Sequence, residues 1–334
     1  YLHSISCLLV FSVLNLLIIK YLNPQKNNFF LTHFNIFVII AIILNISFQL
    51  EDGTYFIDGE DDEGYYLRTM RYLSGEEQNF DLYNFKGFIW LLASVYGLLN
   101  TLGFTDNSFF IIILLNCFAG TLVLRLLYEI LKIYNFKRDI EKEISKFSLF
   151  PLFFIFAVTG MRDIWIILIV TCYFFLALRS KDRVKNKFLH IITKFIILIT
   201  SFFFRPINVF YLLIIDMSFL LFEKNNKLLK VYFLLSISLL LILTPILMSS
   251  IGLKSENIFD LASIYLNSYD GLVSSSASSN SVGSALRSSS FLPLKILWYG
   301  YTLISPFPPP IIFNFSFYNL LISIGSLLYL VILP

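Results

Sequence analysis

Apolar runs of about 20 residues recur along almost the whole chain, and that is the length an α-helix needs to cross the hydrocarbon of a bilayer. The runs cover residues 4–22, 29–50, 107–131, 147–161, 164–180, 188–204, 207–222, 230–250 and 312–333. Unbroken apolar runs exclude a membrane β-barrel, whose strands alternate between lipid-facing and lumen-facing residues. A water-soluble fold is excluded by the supply of charge. Of 334 residues 57% are hydrophobic and only 14% charged, too few to cover a hydrated exterior. The expected fold class is therefore all-α: one polytopic transmembrane helical bundle over 1–334, with about nine spans. The chain begins at Tyr1 without Met and stops at Pro334 straight after an apolar run, so it is read as a fragment of a longer protein. The first run lacks the basic segment and small-residue cleavage site of a signal peptide and reads as a span.

Two more apolar stretches, 86–104 and 291–311, carry helix punctuation. Gly87, Gly97 and Gly103 interrupt the first; Pro293, Pro306, Pro308, Pro309 and Pro310 interrupt the second. The distribution of Lys and Arg decides how to count them. Basic residues fill four short connections: Lys20 and Lys26; Lys132, Lys137, Arg138, Lys142 and Lys146; Arg179, Lys181, Arg183, Lys185 and Lys187; Lys224, Lys227 and Lys230. The positive-inside rule puts all four in the cytoplasm. The loop after Leu50 is then outside, and one crossing, 107–131, returns the chain to the inside. Stretch 86–104 is therefore expected to lie at the outer interface or to re-enter, backbone geometry that is tolerated where protein or water covers it.

This count leaves on the outer face an acidic loop, 51–106, two tight turns around Arg162-Asp163 and Arg205-Pro206, and a long Ser-rich loop with a Pro-rich return, 251–311. The acidic loop holds the densest charge in the chain, Asp58-Gly59-Glu60-Asp61-Asp62-Glu63. Carboxylates at a membrane boundary point to a functional site. Asp62 and Glu63 also stand at the start of an amphipathic helix, with Tyr66, Met70 and Leu73 at i, i+4 and i+7 and Gly75 to end it. A capped interfacial helix in a solvated loop is the other account of the same residues. Arginines in short outer turns break the positive-inside pattern. They are accounted for either by snorkelling at a helix start or by an anion, since a guanidinium presents a fork that matches phosphate oxygens. Arg287, in the segment Ser274 to Ser290, is a third such arginine on what reads as a flexible linker or a mobile lid.

Other chemistries find little support. Cys7, Cys117 and Cys172 lie inside apolar runs and read as small buried hydrophobes. His3, His33 and His190 have no zinc-ligand spacing, and no phosphate-loop or dinucleotide fingerprint occurs.

Asp62-Glu63-Gly64-Tyr65-Tyr66 after an early span, the stretch from Gly87 to Gly97, the Arg162-Asp163 helix start and the Ser-rich loop leading to Pro306-Phe307-Pro308 together resemble membrane glycosyltransferases of the GT-C type, in the bacterial group related to protein mannosyltransferases. The resemblance covers the order of spans and loops over most of the chain, and its motifs are short and degenerate. It implies that a sugar leaves a polyprenyl phosphate or pyrophosphate at the outer face of a bacterial cytoplasmic membrane and joins an acceptor, building cell-surface polysaccharide or glycolipid. Carried over residue by residue, it implies Asp62 as base with Glu63 beside it, Arg162, Arg205 and Arg287 on the donor phosphate, and Asp163 as a second carboxylate. Some relatives use a divalent cation, Mg or Mn, and others none, so the metal stays unknown. The implied partners are a lipid-linked sugar donor, membrane lipids and a glycan or glycolipid acceptor, with no nucleic acid. Two features depart from the pattern: two spans precede the acidic loop, and the extra acids Asp58, Glu60 and Asp61 leave the choice of base open.

Three rivals stand beside this reading. A polymerase of lipid-linked oligosaccharide repeats shares the outer arginines and the long outer loop. A transporter or flippase places ionisable groups near the bilayer midplane; Asp216, inside an apolar run, is the residue that favours it. A non-catalytic scaffold leaves the acidic loop unexplained.

Overall fold

The computed structural model describes residues 27–51, 61–76, 86–103, 108–179 and 187–205, with isolated positions 208, 209, 212, 213, 215, 216, 234 and 238. All of them belong to a compact unit spanning 1–241. The expected spans 4–22, 230–250 and 312–333, the loop 251–311 and Arg287 fall outside the described residues, apart from positions 234 and 238.

The described chain is entirely helical, with no strand among its residues. Eight helices follow in order: α1 Asn27–Glu51, α2 Asp61–Leu73, α3 Lys86–Thr101, α4 Phe110–Ile133, α5 Ile140–Ser148, α6 Pro151–Val158, α7 Asp163–Arg179 and α8 Lys187–Phe204. Residues Asn28–Leu50 and Phe110–Ile133, 23 and 24 residues, are long and apolar enough to cross a membrane. At 1.5 Å per residue each reaches about 35 Å, against about 30 Å of hydrocarbon.

Helix α4 is the hub: α1, α5, α6 and α7 all pack on it. It is buried on every side, which explains why its sequence is apolar all round with no amphipathic stripe. Helix α1 runs antiparallel to it. Phe30 meets Tyr128 edge-to-face, and Phe37 lies beside Gly120 and packs on Phe153 and Phe154 of α6. The opposite face of α1 leaves Ile36, Ile39, Ile43, Ile46 and Leu50 exposed. An apolar stripe of this length suits hydrocarbon rather than water.

The single helix expected over 147–161 is instead broken. Helix α5 ends at Ser148, and α6 starts at Pro151 after Phe150 in an extended conformation (φ −62°, ψ 125°). The cause is local: a proline ring crowds the preceding residue out of the helical region, while Pro itself suits the first helical position. Helix α5 opens on Asp139, whose carboxylate accepts from the Glu141 and Lys142 amides, an N-cap invisible to hydropathy alone.

Stretch 86–104 forms one helix, α3, packed against α2 and α8. Gly87 makes the second contact possible. A Cβ there would stand 2.8 Å from the Phe203 carbonyl carbon and the Phe204 ring.

Candidate functional site

Helix α2 begins and ends where the sequence indicates. Its C-terminus closes with paired backbone bonds, Glu76 N–H to Arg71 O (3.1 Å) and Gly75 N–H to Tyr72 O (3.2 Å), around Gly75 at φ +78°. That is the left-handed closure for which glycine is favoured. The buried face differs from the expected one. Asp62, Tyr65 and Thr69 are buried, whereas Tyr66, Met70 and Leu73 are half-buried. Tyr65 turns this face onto α3 by an edge-to-face contact with Phe88, ring centroids 5.3 Å apart, and Tyr66 meets Phe109 in the same way.

The face carries a carboxylate inward. Asp62 is 2% exposed, and its Oδ1 accepts from the Glu63 amide at 2.9 Å, while Glu63 itself is exposed. Two of the acids that the sequence leaves as alternatives are thus separated, with Asp62 inside and Glu63 in the open; Asp58 and Glu60 fall outside the described residues.

Asp62 packs against the turn between α6 and α7. A Cβ on Gly160 would lie 3.0 Å from the Asp62 Cβ and 2.7 Å from the Phe109 ring, so only glycine permits this approach. Two residues on, Arg162 is 7% exposed, with its guanidinium over the Tyr65 ring at 5.4 Å from the centroid. A snorkelling arginine would reach for water; this one is folded inward over an aromatic face, where a cation is attracted to the ring quadrupole. Asp62, Tyr65, Gly160 and Arg162 therefore form one contiguous cluster.

Asp163 and Arg205 lie at its edge. Arg205 Nη1 and Asp163 Oδ1 are 3.9 Å apart with side chains 29% and 33% exposed, a long pair that water screens. Trp90 and Phe203 stack at an angle between α3 and α8. Arg287 is not among the described residues. Among the described residues no group of three or more His, Cys, Asp or Glu gathers to hold a metal ion.

A residue that the sequence does not single out holds the turn in place. Asn116 is fully buried in α4. Its Nδ2 donates to Thr159 O (2.6 Å) and Met161 O (2.7 Å), and its Oδ1 accepts from Trp165 Nε1 (2.8 Å). Both amide hydrogens and the carbonyl are used, and two otherwise orphaned carbonyls at a helix break are satisfied. A lone asparagine in an apolar run is the signal that could have found it.

A second buried polar group lies about 15 Å along α7 from the turn, by helical rise. Lys194 Nζ is 2.6 Å from Asp216 Oδ1 and 4.7 Å from the centroid of the Tyr173 ring, and the Tyr173 hydroxyl donates to Asp216 Oδ2. All three side chains are buried. Asp216 thus has a cationic partner, itself a lone charge in an apolar stretch. Cys117 and Cys172 are free thiols within the helices.

No protein-family model matches the chain, and no curated protein or solved structure matches it either.

Proposed function

We propose that this chain is an integral membrane glycosyltransferase, moving a sugar from a polyprenyl-(pyro)phosphate donor to an acceptor hydroxyl or amide at the outer face of a bacterial cytoplasmic membrane. The reading includes about nine crossings and the outer orientation derived from the basic loops, with α5 and α6 together, in place of one continuous helix, making the crossing expected over 147–161. The observation that carries it is the burial of Asp62 in the same cluster as Arg162, at the end of α4 that the charge distribution places outside.

In the proposed step the acceptor oxygen attacks the anomeric carbon and the bond from that carbon to the phosphate oxygen breaks. The phosphate leaves with the electron pair, and the acceptor proton passes to Asp62. A carboxylate of ordinary basicity accepts such a proton late in an oxocarbenium-like displacement if it lies within hydrogen-bond reach. Arg162 and Arg205 stabilise charge on the leaving phosphate in a site where protein has replaced water. Burial of Asp62 and exposure of Glu63 support Asp62 as the base.

The test is transfer of labelled sugar from a polyprenyl-phosphate donor by purified protein in lipid. Asp62→Asn is expected to lower transfer by about 100-fold or more, and Glu63→Gln by less than about threefold. Wild-type turnover in Asp62→Asn, with the protein folded, overturns the assignment.

A transporter is the second reading, favoured by the buried Lys194–Asp216 pair. It requires substrate flux across sealed vesicles to stop when that pair is neutralised.

A further inference from the structure

A cavity of about 590 Å³ lies between the N-terminal half of α1 and helix α5. That volume is in the range of sites that hold small ligands. Phe29, Ile36 and Phe37 of α1 and Leu149, just past α5, give it apolar walls.

Three of the polar groups that line it have their hydrogens committed to their own helices. Thr32 Oγ1 donates to Asn28 O (2.8 Å), Ser148 Oγ to Ser145 O (2.7 Å) and His33 Nδ1 to Phe29 O (2.9 Å). A carbonyl only accepts, so the imidazole hydrogen sits on Nδ1, and in the neutral ring Nε2 is left as an acceptor. His33 is only 8% exposed, and the Phe29 ring lies against it with centroids 4.4 Å apart. Among the described residues nothing bonds to its Nε2. A polar atom on so buried a ring is costly to leave without a partner. Glu141 adds a carboxylate to the same cavity. What remains for a ligand is thus a set of acceptors with one negative charge, which suits a cationic N–H donor.

The setting selects among such donors. Ile36 belongs both to the cavity and to the exposed stripe Ile36, Ile39, Ile43, Ile46 and Leu50 of α1. From Ile36 to Leu50 the stripe runs about 21 Å by helical rise, longer than one hydrocarbon leaflet of about 15 Å. An apolar chain laid along it starts at the cavity.

We propose that the cavity binds the headgroup of a membrane phospholipid with a primary ammonium, of the ethanolamine kind, with His33 Nε2 and Glu141 as acceptors and an acyl chain along the α1 stripe. The lipid belongs to the cytoplasmic leaflet, because the basic connection 132–146 runs into α5. The inference goes beyond sugar transfer and shares with the proposed function only its membrane topology.

Thermal unfolding of the purified full chain in detergent tests it, titrated separately with dioleoyl phosphatidylethanolamine, phosphatidylcholine, phosphatidylglycerol and phosphoethanolamine. A ligand held by the folded state raises the midpoint. The ethanolamine lipid is expected to bind about tenfold or more tighter than the choline lipid, whose ammonium has no N–H, and than the glycerol lipid, which has no cation. Phosphoethanolamine, without a chain, should bind more weakly than its lipid. His33→Phe keeps an aromatic ring and Glu141→Gln keeps the side-chain shape; each should weaken the ethanolamine lipid about tenfold. Ser145→Phe fills the cavity and should abolish the shift. No shift with any lipid, or equal affinity for all three, overturns the ammonium site. Unchanged affinity in all three variants overturns its placement in this cavity. Phosphoethanolamine binding as tightly as its lipid makes the ligand a soluble amine and overturns the lipid. Asp62→Asn should leave lipid binding unchanged, so this inference and the glycosyltransferase reading fail separately.

Discussion

Neutralising one member of the Lys194–Asp216 pair should be far worse than neutralising both. In Asp216→Leu the Lys194 ammonium stays in its buried position without its 2.6 Å contact to the Asp216 carboxylate, and the Tyr173 hydroxyl loses that acceptor as well. Removing one member of a buried ion pair costs about 3–5 kcal/mol, because an uncompensated charge is left behind. An unpaired lysine at the centre of a membrane helix costs about 2.5–3.5 kcal/mol by insertion scales, which agrees. The orphaned hydroxyl adds about 1 kcal/mol or more. Each single variant, Asp216→Leu and Lys194→Met, is therefore expected to lose about 3–5 kcal/mol. The double variant replaces the pair with apolar side chains of similar volume and should lie within about 2 kcal/mol of wild type, or above it. The coupling energy is then about 3 kcal/mol or more, well outside the error of additivity for distant sites. Reversible unfolding in mixed micelles, monitored by tryptophan fluorescence, measures all four corners of the cycle. Single-variant losses below about 1 kcal/mol that simply add in the double variant would refute the reasoning and mean that water reaches the pair.

Two other substitutions probe the turn before α7. Asn116→Leu deletes three buried hydrogen bonds and strands the Thr159 and Met161 carbonyls, so a loss of about 2–4 kcal/mol is expected, with a fall in sugar transfer because Arg162 is no longer held; wild-type stability and activity together would remove Asn116 from its role. Gly160→Ala forces a methyl group into the Phe109 ring and toward Asp62, which should cost about 1–3 kcal/mol in thermal unfolding and lower turnover more than donor affinity, while Gly97→Ala, inside α3 with open space around it, serves as the control and should leave turnover unchanged and stability equal or higher by up to about 1 kcal/mol.

The sequence locates helices better than it locates partners. Runs 29–50 and 107–131 correspond to α1 and α4 within three residues, and Gly75 ends α2 as its chemistry requires. Length and apolarity alone locate the two long helices, and glycine's tolerance of positive φ locates the end of α2. The break at Pro151 escapes a hydropathy count because Leu152, Phe153 and Phe154 are as apolar as any span; the signal lies in one residue's backbone restriction. The buried face of α2 depends on what covers it. Tyr66, Met70 and Leu73 form the better apolar stripe, yet Phe88 and the Gly160 turn lie against Asp62, Tyr65 and Thr69. Tertiary contact overrode amphipathicity there, and it did so to bring a carboxylate inside. Asn116 and Lys194 lie within apolar runs, and which atoms they satisfy is a property of neighbours 43 to 49 and 22 residues away respectively.

For a chain that crosses a membrane as proposed, the break between α5 and α6 also bears on how it enters. Helix α6 has eight residues and reaches about 12 Å, less than half of the hydrocarbon thickness. A segment this short cannot be released into lipid as an independent span; its ends would carry unsatisfied backbone groups into hydrocarbon. Its docking surfaces are Phe37 of α1 and Gly120 of α4, and both are synthesised before it. Synthesis in order from the N-terminus thus has both docking helices made before α6 emerges. On the proposed membrane topology, the α6–α7 turn, with Arg162 in it, would reach Asn116 by docking onto these helices rather than by independent insertion.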